Sequence, residues 1–348
     1  MRAAAAMAVL IFHATQRAGT PLGVGAAGVD VFFVISGFVM ATATRARPVG
    51  AGEFLLHRTI RIVPAYWAVT LAMTALAQLP GAFPALRPTI SHVVLSLLFV
   101  PHPDPAGGPF PLVAAGWTLN VEMGFYLLFA AGLSLPARMR LLCVTGVLGG
   151  LIAIGWLLHP DGVAAAVFTD PIVLEFAAGL WLAKADARRS LPTGWGAGLL
   201  LALGLAGFAA QGWLGSTDAS WRLLAWGGPA LLVVAGGLGL EQGRPLPTTR
   251  PAQRGSMQAW SIQAWPMKAG LALGEASYMI YLVHGLVVSA SWRLLPGGGM
   301  AFLAASAAGS LGAGLWLHQA MERPVTAWLR RISRAGTRRR LALAEESG

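Results

Sequence analysis

Apolar stretches long enough to cross a bilayer recur along the chain, at about 3–19, 23–43, 62–80, 116–134, 141–158, 164–183, 195–213, 222–240, 270–292 and 300–320. A helix needs about 20 apolar residues, within roughly 17–25, to traverse the hydrocarbon core. In lipid every backbone N–H and C=O must find its partner inside the protein, so a run of this kind folds as helix. The pattern predicts an all-α polytopic transmembrane helix bundle of about ten spans. Residues 91–100 (SHVVLSLLFV) are too short to span and lie between proline-rich segments. They are expected to form an interfacial or re-entrant piece.

The cations orient this bundle. With ten spans both termini share one side, and 21 of the 25 Lys and Arg residues fall there. The other side holds four: Arg17, Arg87, Arg222 and Arg293. Lys and Arg are retained on the cytoplasmic side, so both ends are expected in the cytoplasm. The net charge of +11 is thus an orientation signal, and no nucleic-acid partner is expected. Charged residues make up 11% of the chain, against about 25% in a soluble domain, which argues further for a membrane protein. The one cysteine, Cys143, rules out an internal disulfide or a cysteine metal cluster. No cleavable signal peptide is evident ahead of the first span. The expected organisation is a transmembrane domain over 1–322 and a basic cytoplasmic tail over 323–348. The proline- and arginine-rich loop near 241–269 reads as a connector, and the tail as a ligand for anionic headgroups.

Ionisable side chains inside apolar spans are costly and usually face a polar interior. At about 1.5 Å per residue, His13 stands roughly 16 Å above the inner face, Glu122 roughly 18 Å, Asp30 near 20 Å and His284 roughly 15–20 Å. Four such groups at one depth suggest a polar cavity near the midplane. A His13–Glu122 pair would fix the imidazole tautomer and raise its basicity. Each group also has a plainer reading. Asp30 could start a helix near the outer interface. His284 could simply join two helices by a hydrogen bond. Arg58 and Arg61 share a helix face at the start of the third span. They suit phosphate recognition, or they anchor the span. Pro64 reads as a first-turn proline.

Other patterns are decoys. Gly23-V-Gly25-AA-Gly28 matches a dinucleotide-binding string but follows no strand, and reads as a tight turn and close helix packing. His92 and His102 lack companions at metal-ligand spacing, so no metal site is expected. No nucleophile-elbow serine motif is present.

In order along the chain stand Arg2-x₁₀-His13, Gly28-V-Asp30-VFFVI-Ser36-Gly37-Phe38 and Arg58-x-x-Arg61-I-x-Pro64-x-Tyr66. Gly116-Trp117-Thr118-Leu119-Asn120-x-Glu122-x-x-x-Tyr126, Ser277-Tyr278-MI-Tyr281-Leu282-V-His284 and Glu322-Arg323-Pro324 follow. Together these resemble the integral-membrane acyltransferase-3 family, most closely its bacterial exopolysaccharide O-acetyltransferase branch. The resemblance implies a multi-pass enzyme of the bacterial inner membrane. It would move an acyl group, usually acetyl, from acyl-CoA to a hydroxyl of a surface glycan or its lipid-linked precursor. No permanently bound cofactor is implied; acetyl-CoA is a donor substrate. Membrane lipids and polysaccharide-assembly proteins are the further partners expected. His13 would be the catalytic base, Glu122 its orienting carboxylate, and Arg58 and Arg61 the ligands of the CoA phosphates. Asp30, Ser36, Trp117, Asn120, Tyr126 and His284 are expected to bind substrate, although aromatics near a helix end also serve as interface anchors. An acyl-His13 relay stays open beside direct transfer. The family usually carries several residues ahead of the arginine matching Arg2, so a longer N-terminus is expected. The alternative is a transporter or flippase of lipid-linked saccharides, to which midplane charges are equally suited; the repeats and broken helices of such proteins are not evident in the sequence.

Overall fold

The computed structural model describes residues 1–79, 87–214, 221–243 and 265–333. Among the described residues the fold is all helical: α1 (Arg2–Arg17), α2 (Gly28–Ala46), α3 (Ala51–Ala77), α4 (Ile90–Leu97), α5 (Gly116–Ala131), α6 (Ala137–Leu158), α7 (Val163–Phe168), α8 (Leu174–Ala187), α9 (Gly194–Leu214), α10 (Gly228–Gln242), α11 (Trp265–Leu294) and α12 (Met300–Leu317). Helix continues past α12 through a π turn at His318–Glu322 to Ser333, beyond the 322/323 boundary expected for the tail. Most of the 241–269 connector and the tail after Ser333 lie outside the described residues.

Among the described residues seven helices are long and apolar enough to cross a membrane. The other three expected spans correspond to shorter helices. α1 and α5 have 16 residues and α8 has 14, or about 24 and 21 Å of axis. The expected span 164–183 is broken at Pro171, which lacks the N–H a continuous helix needs, into α7, a 3₁₀ turn and α8. These short helices carry much of the buried polar chemistry. α1 packs between α11 and α2, α2 packs along α8, and α9 pairs with α10.

The third span begins eleven residues earlier than its hydropathy suggests, at Ala51 instead of residue 62. The charges of Glu53, Arg58 and Arg61 dilute the apolar signal. Phe54, Ile60 and Ile62 nonetheless bury one face, and Glu53 favours a helix N-terminus. Pro64 is therefore an interior proline and not a first-turn one. Arg58 and Arg61 stand inside the helix, about 10 and 15 Å along from Ala51.

Two glycine contacts set the spacing of the bundle. A Cβ on Gly37 of α2 would lie 2.0 Å from the Phe176 carbonyl oxygen, and one on Gly179 of α8 would lie 2.1 Å from that of Val34. The two helices touch backbone to backbone, the close approach that small residues permit in lipid. Gly25 and Gly28 do the same against α1, where the 3₁₀ turn Gly23–Ala27 meets Ala8 and Ala5. The aromatic core lies beside this seam: Phe176 stacks on Phe125 at 4.3 Å and meets Phe33 at 4.5 Å. α4 is the short piece expected at 91–100. The Thr89 side chain caps it, and Trp67 of α3 donates its indole N–H to the Leu97 carbonyl at 2.8 Å.

Candidate active site

Two cavities are ranged along α1. The first is narrow, about 60 Å³, and gathers Arg2 from α1, Ser36 from α2, Arg58 and Arg61 from α3, Glu122 and Tyr126 from α5, and Tyr278 and Tyr281 from α11. Glu122 Oε1 accepts hydrogen bonds from the Ser36 and Tyr126 hydroxyls, each at 2.5 Å. Arg58 lies over the rings of Phe54 (5.4 Å) and Tyr126 (6.0 Å). The Nε atoms of Arg2 and Arg58 are buried and have no hydrogen-bond partner. Buried polar groups are nearly always satisfied. Three guanidiniums around one carboxylate leave this cavity with an excess of positive charge.

The second cavity, about 410 Å³, holds His13, Gln16 and Arg17 of α1, residues 112–115 ahead of α5, and His284 with its neighbours on α11. The His13 and His284 rings face each other with centroids 5.1 Å apart. His284 Nδ1 donates to the Tyr281 carbonyl at 2.5 Å, which leaves Nε2 as the acceptor nitrogen. Gln16, nearly one turn beyond His13, lines the same cavity.

One contact stands between the cavities. Along α5 the lining passes from Thr118 in the first to Ala115 in the second, and along α11 from Tyr281 to His284. At this step the Thr118 and Tyr281 hydroxyls hydrogen-bond at 3.0 Å, and the Tyr281 hydroxyl reaches the Ala115 carbonyl at 3.3 Å. Arg2 and His13 are eleven residues apart on one helix, or about 16 Å.

The expected His13–Glu122 pair is not formed. Glu122 is held by Ser36 and Tyr126 among the arginines, and the ring beside His13 is His284. Counting residues gave both groups a depth, but not the face of the helix from which each projects. The expected single midplane cavity is accordingly two. Of the residues expected to bind substrate, Ser36 and Tyr126 line the arginine cavity and His284 the histidine cavity. Asp30, Trp117 and Asn120 line neither. Trp117 sits edge-on to Phe33, and Asn120 is buried with its Oδ1 unpartnered. Asp30 is fully buried in the first turn of α2 and makes no side-chain cap. Its Oδ2 accepts from Arg222 Nη2 at 2.8 Å, with the fully buried Glu175 of α8 beside the pair.

Sequence reasoning missed Glu175, although a carboxylate inside an apolar run is the same signal that singled out Glu122. It also gave Arg2 no place in the site, although Arg2 heads the first of the ordered motifs and is one of the three cavity guanidiniums. His92 and His102 face each other edge to face at 4.9 Å, and the described residues contain no cluster able to hold a metal ion.

The bundle thus carries an arginine-lined cavity and a histidine pair shared by α1 and α11, an arrangement suited to a membrane-embedded transferase. Residues 1–318 match the acyltransferase-3 family, described as "Acyltransferase domain", and the chain belongs to it. Within that family it is 38% identical over 281 residues to the exopolysaccharide production protein ExoZ of Rhizobium meliloti (strain 1021), covering 80% of this chain and 82% of the relative. No solved structure matches the chain.

Proposed function

We propose that this acyltransferase is a multi-pass enzyme of the bacterial inner membrane, with ten spans and both termini in the cytoplasm. It moves an acyl group, acetyl in the simplest case, from acyl-CoA to a hydroxyl of an exopolysaccharide or its lipid-linked precursor. The kinship to an exopolysaccharide production protein supports the acceptor class. The observation that carries the reading is the pair of cavities on α1, one rich in unsatisfied guanidinium and one holding two imidazoles.

Arg2, Arg58 and Arg61 take the phosphates of CoA, for which the planar guanidinium fork is suited. Ser36 and Tyr126 hold Glu122 among them, so the carboxylate spaces the three cations and offsets part of their repulsion. The pantetheine arm extends past Thr118 and Tyr281, and the thioester reaches the imidazoles. His13 accepts the proton of the acceptor hydroxyl as that oxygen attacks the thioester carbonyl. The tetrahedral adduct collapses, the C–S bond breaks, and the His13 imidazolium returns the proton to the departing sulfur. His284, its Nδ1 proton committed to a backbone carbonyl, offers Nε2 to steady the charged ring.

The test is His13→Ala, with expression and membrane insertion verified. Acyl transfer should fall while acyl-CoA still binds. Transfer at the wild-type rate would overturn the assignment. Purified protein that consumes no acyl-CoA with any acceptor would favour a saccharide transporter instead.

A further inference from the structure

We propose that the protein holds a specific anionic phospholipid in a third cavity, formed by the Ala46 end of α2, the Ala137 end of α6 and the Ala187 end of α8. This cavity is about 510 Å³ and shares no lining residue with the other two. Five cations line it: Arg45, Arg138, Arg140, Lys184 and Arg188. The nearby carboxylate, Asp186, is 4.0 Å from Arg45 and is also taken by the Gln242 amide. Among the described residues Arg138 and Arg188 have neither an ion pair nor a side-chain hydrogen bond. Arg140 lies over the Phe129 ring at 5.2 Å and Lys184 over the Trp181 ring at 4.4 Å. Stacking of this kind fixes a cation in place while leaving its N–H edge free to bind.

Topology alone would account for basic residues at these helix ends. It does not account for a concavity. The floor beneath the cations is apolar, built from Phe129, Leu133, Leu141 and Leu180. Apolar side chains next to the lining also stand exposed on the outer faces of the same helices: Met139 (52% exposed), Leu142 (50%) and Trp181 (40%). A soluble phosphate needs only the cations. A cationic rim joined to an apolar floor and an apolar outer track fits a phosphate that carries acyl chains, and basic pockets between membrane helices bind such headgroups. Charge complementarity selects phosphatidylglycerol-type lipids over zwitterionic ones. The proposal rests on the chain being membrane-embedded and not on its acyl-transfer chemistry.

The experiment uses the full chain in detergent, read by native mass spectrometry and by thermal unfolding. The probes are dioleoylphosphatidylglycerol, dioleoylphosphatidylcholine and adenosine 3′,5′-bisphosphate. Phosphatidylglycerol should stay bound and raise the unfolding temperature, phosphatidylcholine should do neither, and the bisphosphate should not displace the lipid. Arg138→Ala with Arg188→Ala should weaken phosphatidylglycerol binding at least tenfold, whereas Arg138→Lys with Arg188→Lys should keep most of it. If the alanine pair does not fold, the lipid comparison on the wild-type and lysine forms decides. Equal retention of the two lipids, wild-type binding by the alanine pair, or displacement by the bisphosphate would each overturn the proposal. The last of these would make the cavity a nucleotide site.

Discussion

His13 and Glu122 line different cavities, with the Thr118–Tyr281 contact where the two linings meet, and the proposed mechanism gives them different work. Positioned acid–base help is worth roughly 10²–10⁴ in rate, so His13→Ala should cost about that much in kcat with little change in the KM for acyl-CoA. Arg58→Ala should do the converse, raising that KM about tenfold or more, as expected for a lost charge-assisted contact to phosphate. Steady-state kinetics on purified protein separates the two patterns. The buried Asp30 is a third case. Arg222→Ala would strand that carboxylate beside Glu175, and removing one partner of a buried ion pair costs about 3–5 kcal/mol. The variant should show a clear fall in thermal unfolding temperature, whereas normal stability would show the pair to be dispensable. At this scale the sequence singled out His13, Ser36, Arg58, Arg61, Glu122, Tyr126 and His284, all of which line one of the two cavities. It did not reveal which of them meet, because partnership depends on rotation about each helix axis and on tilt. Glu122 has Ser36 and Tyr126 as partners for that reason, and Asp30 has an arginine 192 residues away.

Helix spacing rests on a few glycines, and here the sign of a substitution can be foretold. Gly179→Ala places a methyl group 2.1 Å from the Val34 carbonyl oxygen, so α2 and α8 must part and the Phe176 stacking beside them must shift. Gly146 on α6 has nothing within 4 Å of its added Cβ. Gly146→Ala should therefore be neutral or stabilising by about 0.5–1 kcal/mol from helix propensity alone. The unfolding temperature should fall in Gly179→Ala and not in Gly146→Ala; an equal fall in both would sink the account of the α2–α8 seam. Hydropathy located every helix that carries the site and misplaced some of their boundaries. It began α3 too late, because Glu53, Arg58 and Arg61 lower the apolar average of the first turns, although Arg58 and Arg61 share the face of Phe54 and turn inward. It ran straight through Pro171, because an apolar average does not register a single missing donor. Arg58 and Arg61 consequently lie farther inside the bundle than a start at residue 62 implied.

Across the whole molecule, the division of cations predicts which surface faces the cytoplasm. With Cys143 replaced by Ser, a cysteine introduced at Thr20 should react with a membrane-impermeant maleimide on spheroplasts, and one at Ser190 should react only after lysis. The reverse pattern would invert the orientation and place the arginine cavity on the side without CoA. The all-helical, membrane-spanning character was plain from the apolar runs alone. The division of the polar interior into two compartments was not, since it depends on where α5 and α11 touch.

That touching point also bears on the energetics of the cell. A passage wide enough for a pantetheine chain would, if left open, admit water and let protons run down the gradient that powers the host. Two neutral hydroxyls, bonded to each other and to a backbone carbonyl, would close such a passage without a group that changes charge at physiological pH. The donor would part them only while its own chain fills the gap. On the proposed donor route the Thr118–Tyr281 contact acts as an insulator, and a Tyr281→Ala protein should reveal itself by membrane depolarisation in cells even before its catalysis is measured.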